Sequence, residues 1–137
     1  MKIKLFTDGG SRGNPGESAC AFYIESEKGE VVKGHHLGIM TNNQAEYMGL
    51  IKGLMYIFKA MGGDNRIEIF MDSQLIVNQI KGTYKVKNAE LKKLNELAKI
   101  LLEQFSEYTI EHIRRELNTK ADAELNRILD ENKQGED

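Results

Sequence analysis

Four acidic side chains stand where predicted strands and helices begin or end. Asp8 follows the alternating run of residues 2–8, and Asp72 follows a second short apolar run. Glu46 and Asp122 lie in the predicted first turns of two helices. Sites in open α/β sheets gather at such ends. Clustered carboxylates repel one another unless cations neutralise them, and sites made of oxygen ligands suit Mg²⁺ or Mn²⁺. The pattern therefore indicates a site for divalent cations.

Each of the four carboxylates also has an explanation that needs no function. Asp8 fits a turn residue, because two glycines follow it. Asp72 and Asp122 fit helix-capping positions, and Glu46 fits an acid stabilised by a helix dipole. Taken singly, these explanations are the better ones. A common site is favoured only because all four acids would converge at one sheet edge if the first and fourth strands are neighbours.

Neutral polar side chains accompany the acids. The segment 41–44, Thr-Asn-Asn-Gln, precedes Glu46, and Gln74 follows Asp72 by two residues. Amides suit contacts to hydroxyls and base edges of nucleic acids, whereas helix capping would account for one residue of the segment. The glycine-rich residues 9–16 form neither a dinucleotide fingerprint nor a P-loop. We expect them to end the first strand and to let a sugar–phosphate chain approach the backbone closely.

Composition narrows the class of protein. The chain of 137 residues has a net charge of −2, but residues 81–120 carry nine basic and six acidic side chains. A basic middle can serve a polyanion, although a solvated basic face is the simpler interpretation. The single Cys20 excludes an internal disulfide, so we expect a reducing, cytoplasmic compartment. The sequence contains no run of apolar residues long enough for a membrane span, and we expect a monomer.

The elements that must position these side chains follow from hydrophobic period. Alternation predicts strands at 2–8, 19–25, 31–38, 66–71 and 108–114, and helical spacing predicts helices at 45–61, 73–80, 88–105 and from 119 onward. Thr41, Asn42 or Asn43 is suited to cap the first helix, and Ser73 the second. The order β-β-β-α-β-α-α-β-α predicts one α/β domain with a mixed sheet over residues 1–131 and a polar tail at 132–137.

Four segments resemble the hallmark motifs of type I ribonuclease H. They are residues 7–16 (TDGGSRGNPG), 41–46 (TNNQAE), 71–77 (MDSQLIV) and 118–126 (NTKADAELN), which occur in order over nearly the whole chain. The resemblance implies a five-stranded mixed sheet, three antiparallel strands plus two parallel, flanked by helices. It also implies an endonuclease that hydrolyses the RNA strand of RNA–DNA hybrids, giving 5′-phosphate and 3′-hydroxyl ends, with double-stranded RNA as a further substrate.

The resemblance assigns roles motif by motif. The catalytic and metal-binding carboxylates become Asp8, Glu46, Asp72 and Asp122, which would hold two Mg²⁺ ions, or Mn²⁺, once substrate is bound. Asp8 would bridge both ions. Asp122 would help hold the ion that activates the attacking water, and Glu46 and Asp72 the ion at the leaving 3′-oxygen. The substrate-binding positions are Asn14, Thr41, Asn42, Asn43, Gln44 and Gln74.

The chain departs from the family pattern in two segments. The family's loop histidine before the last helix is absent, and the candidates to replace it are Arg114, Arg115, Glu116 and Asn118; for His112, on the strand before, we expect a structural role. The family's tryptophan-containing basic helix is absent from residues 81–88, where Tyr84, Lys85 and Lys87 are the local replacements. We therefore expect a short form without this protrusion and without a separate hybrid-binding domain.

Other functions fit parts of the pattern. An inactive nucleic-acid-binding module on the same fold would bind a hybrid without cleaving it. An exonuclease or integrase-like enzyme would use similar carboxylates. A phospho-accepting receiver domain also has an acidic metal pocket, but it needs alternating β-α units from the start, and the opening run of three strands argues against it.

Overall fold

Five strands form one mixed sheet in a computed structural model that describes residues 1–134. The strands are β1 (Lys2–Gly13), β2 (Gly16–Ser26), β3 (Gly29–Met40), β4 (Arg66–Met71) and β5 (Glu107–His112), and their order is β3-β2-β1-β4-β5. The first three pair antiparallel, while β4 pairs parallel with both β1 and β5. The predicted sheet is confirmed, and its opening meander is not the arrangement of a receiver domain.

Four helices connect and cover the strands. They are α1 (Asn42–Met61), α2 (Gln74–Lys81), α3 (Ala89–Leu102) and α4 (Thr119–Gln134), with a 3₁₀ turn at Arg115–Leu117 before α4. Local signals set their ends: the Ser73 hydroxyl accepts a hydrogen bond from the Ile76 N–H, and Gly82 closes α2 in the left-handed region at φ +83°. Because Ser73 is the cap, helix capping does not explain Asp72. Within residues 1–134, no helix has the length and apolarity that crossing a membrane requires.

Strand β1 does not end at Asp8, and that prediction is wrong. Residues 9–13 continue the antiparallel pairing with β2, from Gly9 opposite Cys20 to Gly13 opposite Gly16. What ends at residue 7 is the parallel pairing with β4, where Thr7 lies opposite Met71. Asp8 and Asp72 therefore each follow the last parallel pair by one residue, Asp8 within β1 and Asp72 just after the end of β4.

The predicted polar tail is partly helical. Helix α4 includes residues 132–134, and residues 135–137 lie outside the described part of the chain. The domain boundary at residue 131 stays a prediction.

The helices cover the two faces of the sheet unequally. One face packs against α1 and α2, and α3 packs on α1; the main core between them includes Ile3, Leu5 and Phe22. Helix α4 covers part of the other face, where Leu125, Ile128 and Leu129 pack on Ala19 and Ala21 of β2. Side chains alternate along a strand, so these alanines face away from the main core. The sheet therefore holds α1 and α4 on opposite sides of β1. Helix α1 brings Glu46, and helix α4 brings Asp122, to the end of the parallel strands.

Two glycines let α1 lie directly against β1. A Cβ on Gly9 would lie 2.1 Å from the Ala45 carbonyl oxygen, and one on Gly49 would lie 2.6 Å from the Asp8 carbonyl oxygen. Only residues without a side chain allow this approach, which brings Glu46 beside Asp8. We expected the glycines to admit a sugar–phosphate chain. For Gly9 the backbone that approaches is instead that of α1.

Candidate active site

Three carboxylates converge at the end of the parallel strands. Asp8, Glu46 and Asp72 each offer one oxygen, and these oxygens all lie within 4.8 Å of one another. Glu46 comes from the fifth residue of α1 and not from its first turn, because the helix already begins at Asn42. The helix-dipole explanation for Glu46 therefore loses its basis. The structure thus brings together three of the four predicted acids in a single group.

The fourth acid, Asp122, lies in the same cleft. Helix α4 carries it in its first turn, and its charge contributes to the raised pKa values of Asp8 and Asp72. The Asn118 amide donates to the Thr7 carbonyl oxygen over 2.8 Å, which ties the start of α4 to the residue before Asp8. The open cleft has a volume of about 410 Å³ and is lined by all four acids together with residues including Ser11, Arg12, Asn42, Arg115 and Asn126.

The surroundings of the acids disfavour their charged forms. Burial, followed by the charge of Asp72, raises the pKa of Asp8 to about 8. Burial and the charges of Asp8 and Asp72 raise the pKa of Glu46 well above its usual value, and burial raises that of Asp72. Desolvation and like charges both penalise ionised carboxylates. Without a cation, the cluster therefore holds protons that an ordinary surface carboxylate releases.

The donor set fits a hard divalent cation. Glu46 Oε2 is buried and has no hydrogen-bond donor among the described residues, although a buried polar atom normally has a partner. Carboxylate oxygens are the ligands that Mg²⁺ and Mn²⁺ prefer. A bound cation would give Glu46 Oε2 a partner and remove the repulsion between the acids.

The predicted substrate-binding residues surround the start of α1, and several already have structural partners. Thr41 and Gln44 form a reciprocal capping box, in which the Thr41 hydroxyl accepts from the Gln44 N–H and the Gln44 side chain accepts from the Thr41 N–H. Asn14 accepts from the Asn42 N–H, and Asn42 accepts from the Ser11 N–H. Capping thus engages two of these residues, where the sequence suggested one. The amide N–H₂ groups of Asn14 and Asn42 donate to no side chain or backbone group among the described residues and can donate to a ligand.

Two further predicted contacts, Asn43 and Gln74, make no side-chain hydrogen bond within the part of the chain that the structure describes. Asn43 is half-buried in the first turn of α1, and Gln74 is exposed at the first residue of α2. Their amides are therefore free to contact a ligand.

Among the four candidates to replace the family's histidine, Arg115 reaches the acids. Its Nη2 lies 3.3 Å from Asp122 Oδ1, while Asn118 is buried on Thr7 as described above. Within residues 1–131, Arg114 and Glu116 form no ion pair or side-chain hydrogen bond. His112 lies on β5 as expected, but it is exposed. Burial therefore gives no support to the structural role expected for His112, which stays a prediction.

Two features of the site were missed in the sequence. Gly49 sits inside an amphipathic helix, where glycine costs about 1 kcal/mol relative to alanine, and that cost was a signal for close packing against another backbone. Asn126 lies one helical turn after Asp122, and its side chain donates to the Asp122 carbonyl oxygen over 3.0 Å. The i, i+4 spacing placed it on the same helix face as Asp122.

Comparisons with known sequences point to one family. A family model described as reverse transcriptase-like matches residues 6–127. Ribonuclease HI of Halobacterium salinarum is 37% identical over 132 residues, which cover 95% of this chain and 65% of that protein. The bifunctional protein Rv2228c of Mycobacterium tuberculosis is 38% identical over 133 residues, which cover 95% of this chain and 36% of that protein. This chain therefore spans only part of the length of either relative.

Solved structures of these relatives share the fold. The N-terminal RNase H domain of Rv2228c has a TM-score of 0.91 at 36% identity and 99% coverage of both chains. RNase H1 of Halobacterium salinarum has a TM-score of 0.89 at 37% identity, with coverage of 96% of this chain and 99% of that one. LC11-RNase H1, isolated from compost and solved with an RNA/DNA hybrid, has a TM-score of 0.83 at 38% identity, with coverage of 91% and 94%. By sequence and fold together, this chain belongs to the ribonuclease H family.

Proposed function

We propose that this chain is an endonuclease that hydrolyses the RNA strand of RNA–DNA hybrids and leaves 5′-phosphate and 3′-hydroxyl ends. The observation that carries the proposal is the convergence of the Asp8, Glu46 and Asp72 carboxylates within 4.8 Å on a ribonuclease H fold. The hybrid bound to LC11-RNase H1 supports the choice of substrate. We expect the chain to act as a monomer.

The four acids would hold the metal. Asp8, Glu46 and Asp72 form the central group, and Asp122 completes it from α4. A pair of Mg²⁺ or Mn²⁺ ions bound there would activate a water and neutralise the charge that develops on the phosphate. Because that water would be the nucleophile, the chain needs no serine, cysteine or lysine in that role. The carboxylates would orient the ions, and the sheet and two helices hold the carboxylates in place.

The amides beside the acids would recognise the duplex. Asn42 lines the cleft, and Asn43 and Gln74 carry free amides at the starts of α1 and α2. Amide donors and acceptors in a minor groove read 2′-hydroxyls, which distinguish RNA from DNA. An RNA duplex offers the same hydroxyls on the strand to be cut, so double-stranded RNA is a second substrate in this proposal. The exposed residues Tyr84, Lys85 and Lys87 would contact phosphates beyond the cleft.

Arg115 would act beside the reacting phosphate. Its guanidinium contacts Asp122 at the cleft, and an arginine there stays charged at any working pH. It can therefore hold the Asp122 carboxylate and attract a phosphate oxygen during turnover. We assign to Arg115 the auxiliary position that the family's histidine would fill.

The proposal is tested with three duplexes of one sequence, an RNA–DNA hybrid, an RNA duplex and a DNA duplex, each incubated with Mg²⁺ and with Mn²⁺. We expect internal cuts in the RNA strand of the hybrid, products with 5′-phosphate ends, and no products in EDTA or with Asp8→Asn. Stepwise trimming from an end would identify an exonuclease. Binding of the hybrid without cleavage in either metal would identify an inactive binding module.

A further inference from the structure

A cluster of two lysines and one histidine lies on the side of the molecule, between the edge strand β3 and helix α1. We call it the cationic patch, and it consists of Lys33, His35 and Lys52. Lys33 and His35 point to the same face of β3, because they alternate along the strand. Their partners on β2 are Phe22 and Cys20, and Phe22 belongs to the core beneath α1. The patch is therefore on the α1 side of the sheet, away from the four carboxylates.

Aromatic rings support the patch. The His35 ring stacks on Phe22 with centroids 6.1 Å apart, and the Phe22 ring contacts Tyr56 at 5.6 Å. The Lys33 ammonium lies over the Tyr56 ring, 5.6 Å from its centroid. Lys52 precedes Tyr56 by one helical turn and so shares its face of α1. A cation over an aromatic ring is attracted by the negative face of that ring, so the ring contacts hold Lys33 and His35 in a defined place.

No carboxylate among the described side chains forms an ion pair with the patch. Burial, followed by the positive charges of Lys52 and Lys33, lowers the pKa of His35, so the imidazole is mostly neutral at pH 7 and the two lysines carry the positive charge of the patch. Unpaired like charges at short range oppose folding, and a bound anion would remove that repulsion.

The two elements that carry the patch also lead to the predicted substrate-binding residues. Strand β3 ends at Met40, directly before Thr41, and α1 begins at Asn42. Lys52 lies ten residues further along α1, which is about 15 Å at 1.5 Å per residue. That length corresponds to roughly four to five nucleotide steps of 3.4 Å along one strand. A duplex held over the start of α1 can thus extend along this side of the molecule.

We propose that the cationic patch binds the sugar–phosphate backbone of the same duplex, about four to five nucleotides from the cleft. The identity of that duplex rests on the proposed function. The contact itself recognises only phosphate, so it serves DNA and RNA strands alike. It gives the chain a hold on its substrate in addition to Tyr84, Lys85 and Lys87.

The test measures how salt weakens binding. A labelled hybrid two helical turns long is titrated without divalent cations, by fluorescence anisotropy, over a series of salt concentrations. Each phosphate contact contributes about 0.9 to the slope of log K against log salt. We expect Lys33→Gln with Lys52→Gln to lower the magnitude of that slope by about 1.8, and Lys33→Arg with Lys52→Arg to keep it. The control, Lys4→Gln with Lys99→Gln, removes the same charge from exposed positions elsewhere and should leave the slope unchanged.

The outcomes separate this proposal from the proposed function. An unchanged slope in the glutamine variant, or an equal loss in the control, would overturn it. An acidic protein segment is the competing occupant. If the glutamine variant loses binding of polyglutamate but keeps its slope for the duplex, the patch serves such a segment and the proposal is wrong. Failure of the proposed function would appear instead as intact hybrid in Mg²⁺ with the unchanged chain, and the slopes need no turnover.

Discussion

Replacing Asp8 with asparagine should stabilise the metal-free protein. The pKa of Asp8 is about 8 in the folded chain and 3.8 for the unperturbed group. At pH 7 Asp8 is protonated in the folded chain and ionised in the unfolded chain. Holding this proton lowers the free energy of unfolding by 1.36 kcal/mol for each pH unit between 3.8 and 7, or at most about 4 kcal/mol. An asparagine at this position would need no proton, and its side-chain oxygen can still accept from the Gly9 N–H, which lies 2.9 Å from Asp8 Oδ1.

The pH dependence gives this prediction its sign. The pKa of Asp8 is higher in the folded chain than in the unfolded chain, so protonation of Asp8 contributes to the stability of wild type. This contribution is fully present below about pH 4 and is lost as the pH rises through about 8. The advantage of Asp8→Asn over wild type should therefore be small at pH 4, grow through neutral pH and level off above pH 8. Mg²⁺ should reduce the advantage, since a cation that binds the folded wild type stabilises it.

The assay is urea unfolding in EDTA at a series of pH values, followed by circular dichroism. Glu96→Gln is the control, because it removes one negative charge from an exposed position on α3 and should change stability by less than about 0.5 kcal/mol. Equal stability of Asp8→Asn and wild type at pH 8 would refute the reasoning. So would a gain as large at pH 4 as at pH 8, since packing would then be its cause.

Three other substitutions test the structure and the site. Gly9→Ala should cost more than about 3 kcal/mol of unfolding free energy, because its Cβ would lie 2.1 Å from the Ala45 carbonyl oxygen. The control Gly10→Ala should cost much less, because its Cβ would meet only Leu125 Cδ2 at 3.4 Å. Equal losses in the two variants would contradict the close approach of α1. Tyr47→Phe should lower the free energy of unfolding, measured in urea, by about 2 kcal/mol, because it leaves buried Gln79 and Asn95 without their partner hydroxyl. The control Tyr84→Phe, at an exposed position, should leave the free energy of unfolding unchanged. Arg115→Gln should lower kcat for hybrid cleavage about tenfold to a hundredfold, because Arg115 contacts Asp122. Arg114 makes no such contact, so Arg114→Gln should leave kcat unchanged. Equal effects of the two substitutions would contradict the auxiliary role of Arg115.

Features that depend on near neighbours in the chain were predictable from the sequence. The Ser73 cap and the Gly82 stop of α2 follow from residues within one turn of each helix end. The length of β1 was not predictable in this way, because residues 9–13 are held by pairing with β2 and glycine-rich segments alone favour turns. In residues 9–13 the pairing with β2 therefore overrides the local preference of glycine for turns.

The site shows the same division. The predicted strand ends at Asp8 and Asp72 indicated a shared edge, although β1 continues past Asp8, and only the strand order, with β4 beside β1, makes the two acids neighbours. Glu46 approaches them because Gly9 and Gly49 admit α1, a contact between segments about forty residues apart. Arg115 stood among four candidates because its approach to Asp122 depends on the 3₁₀ turn before α4, which no hydrophobic period reveals.

The most direct test of the account counts the metal ions. Mn²⁺ is titrated into the protein with a non-cleavable hybrid, and free Mn²⁺ is followed by electron paramagnetic resonance. We expect two bound ions per chain, and loss of Mn²⁺ binding in Asp8→Asn while the hybrid stays bound. Absence of bound Mn²⁺, or binding that Asp8→Asn leaves unchanged, would contradict the claim that these carboxylates hold the catalytic cations.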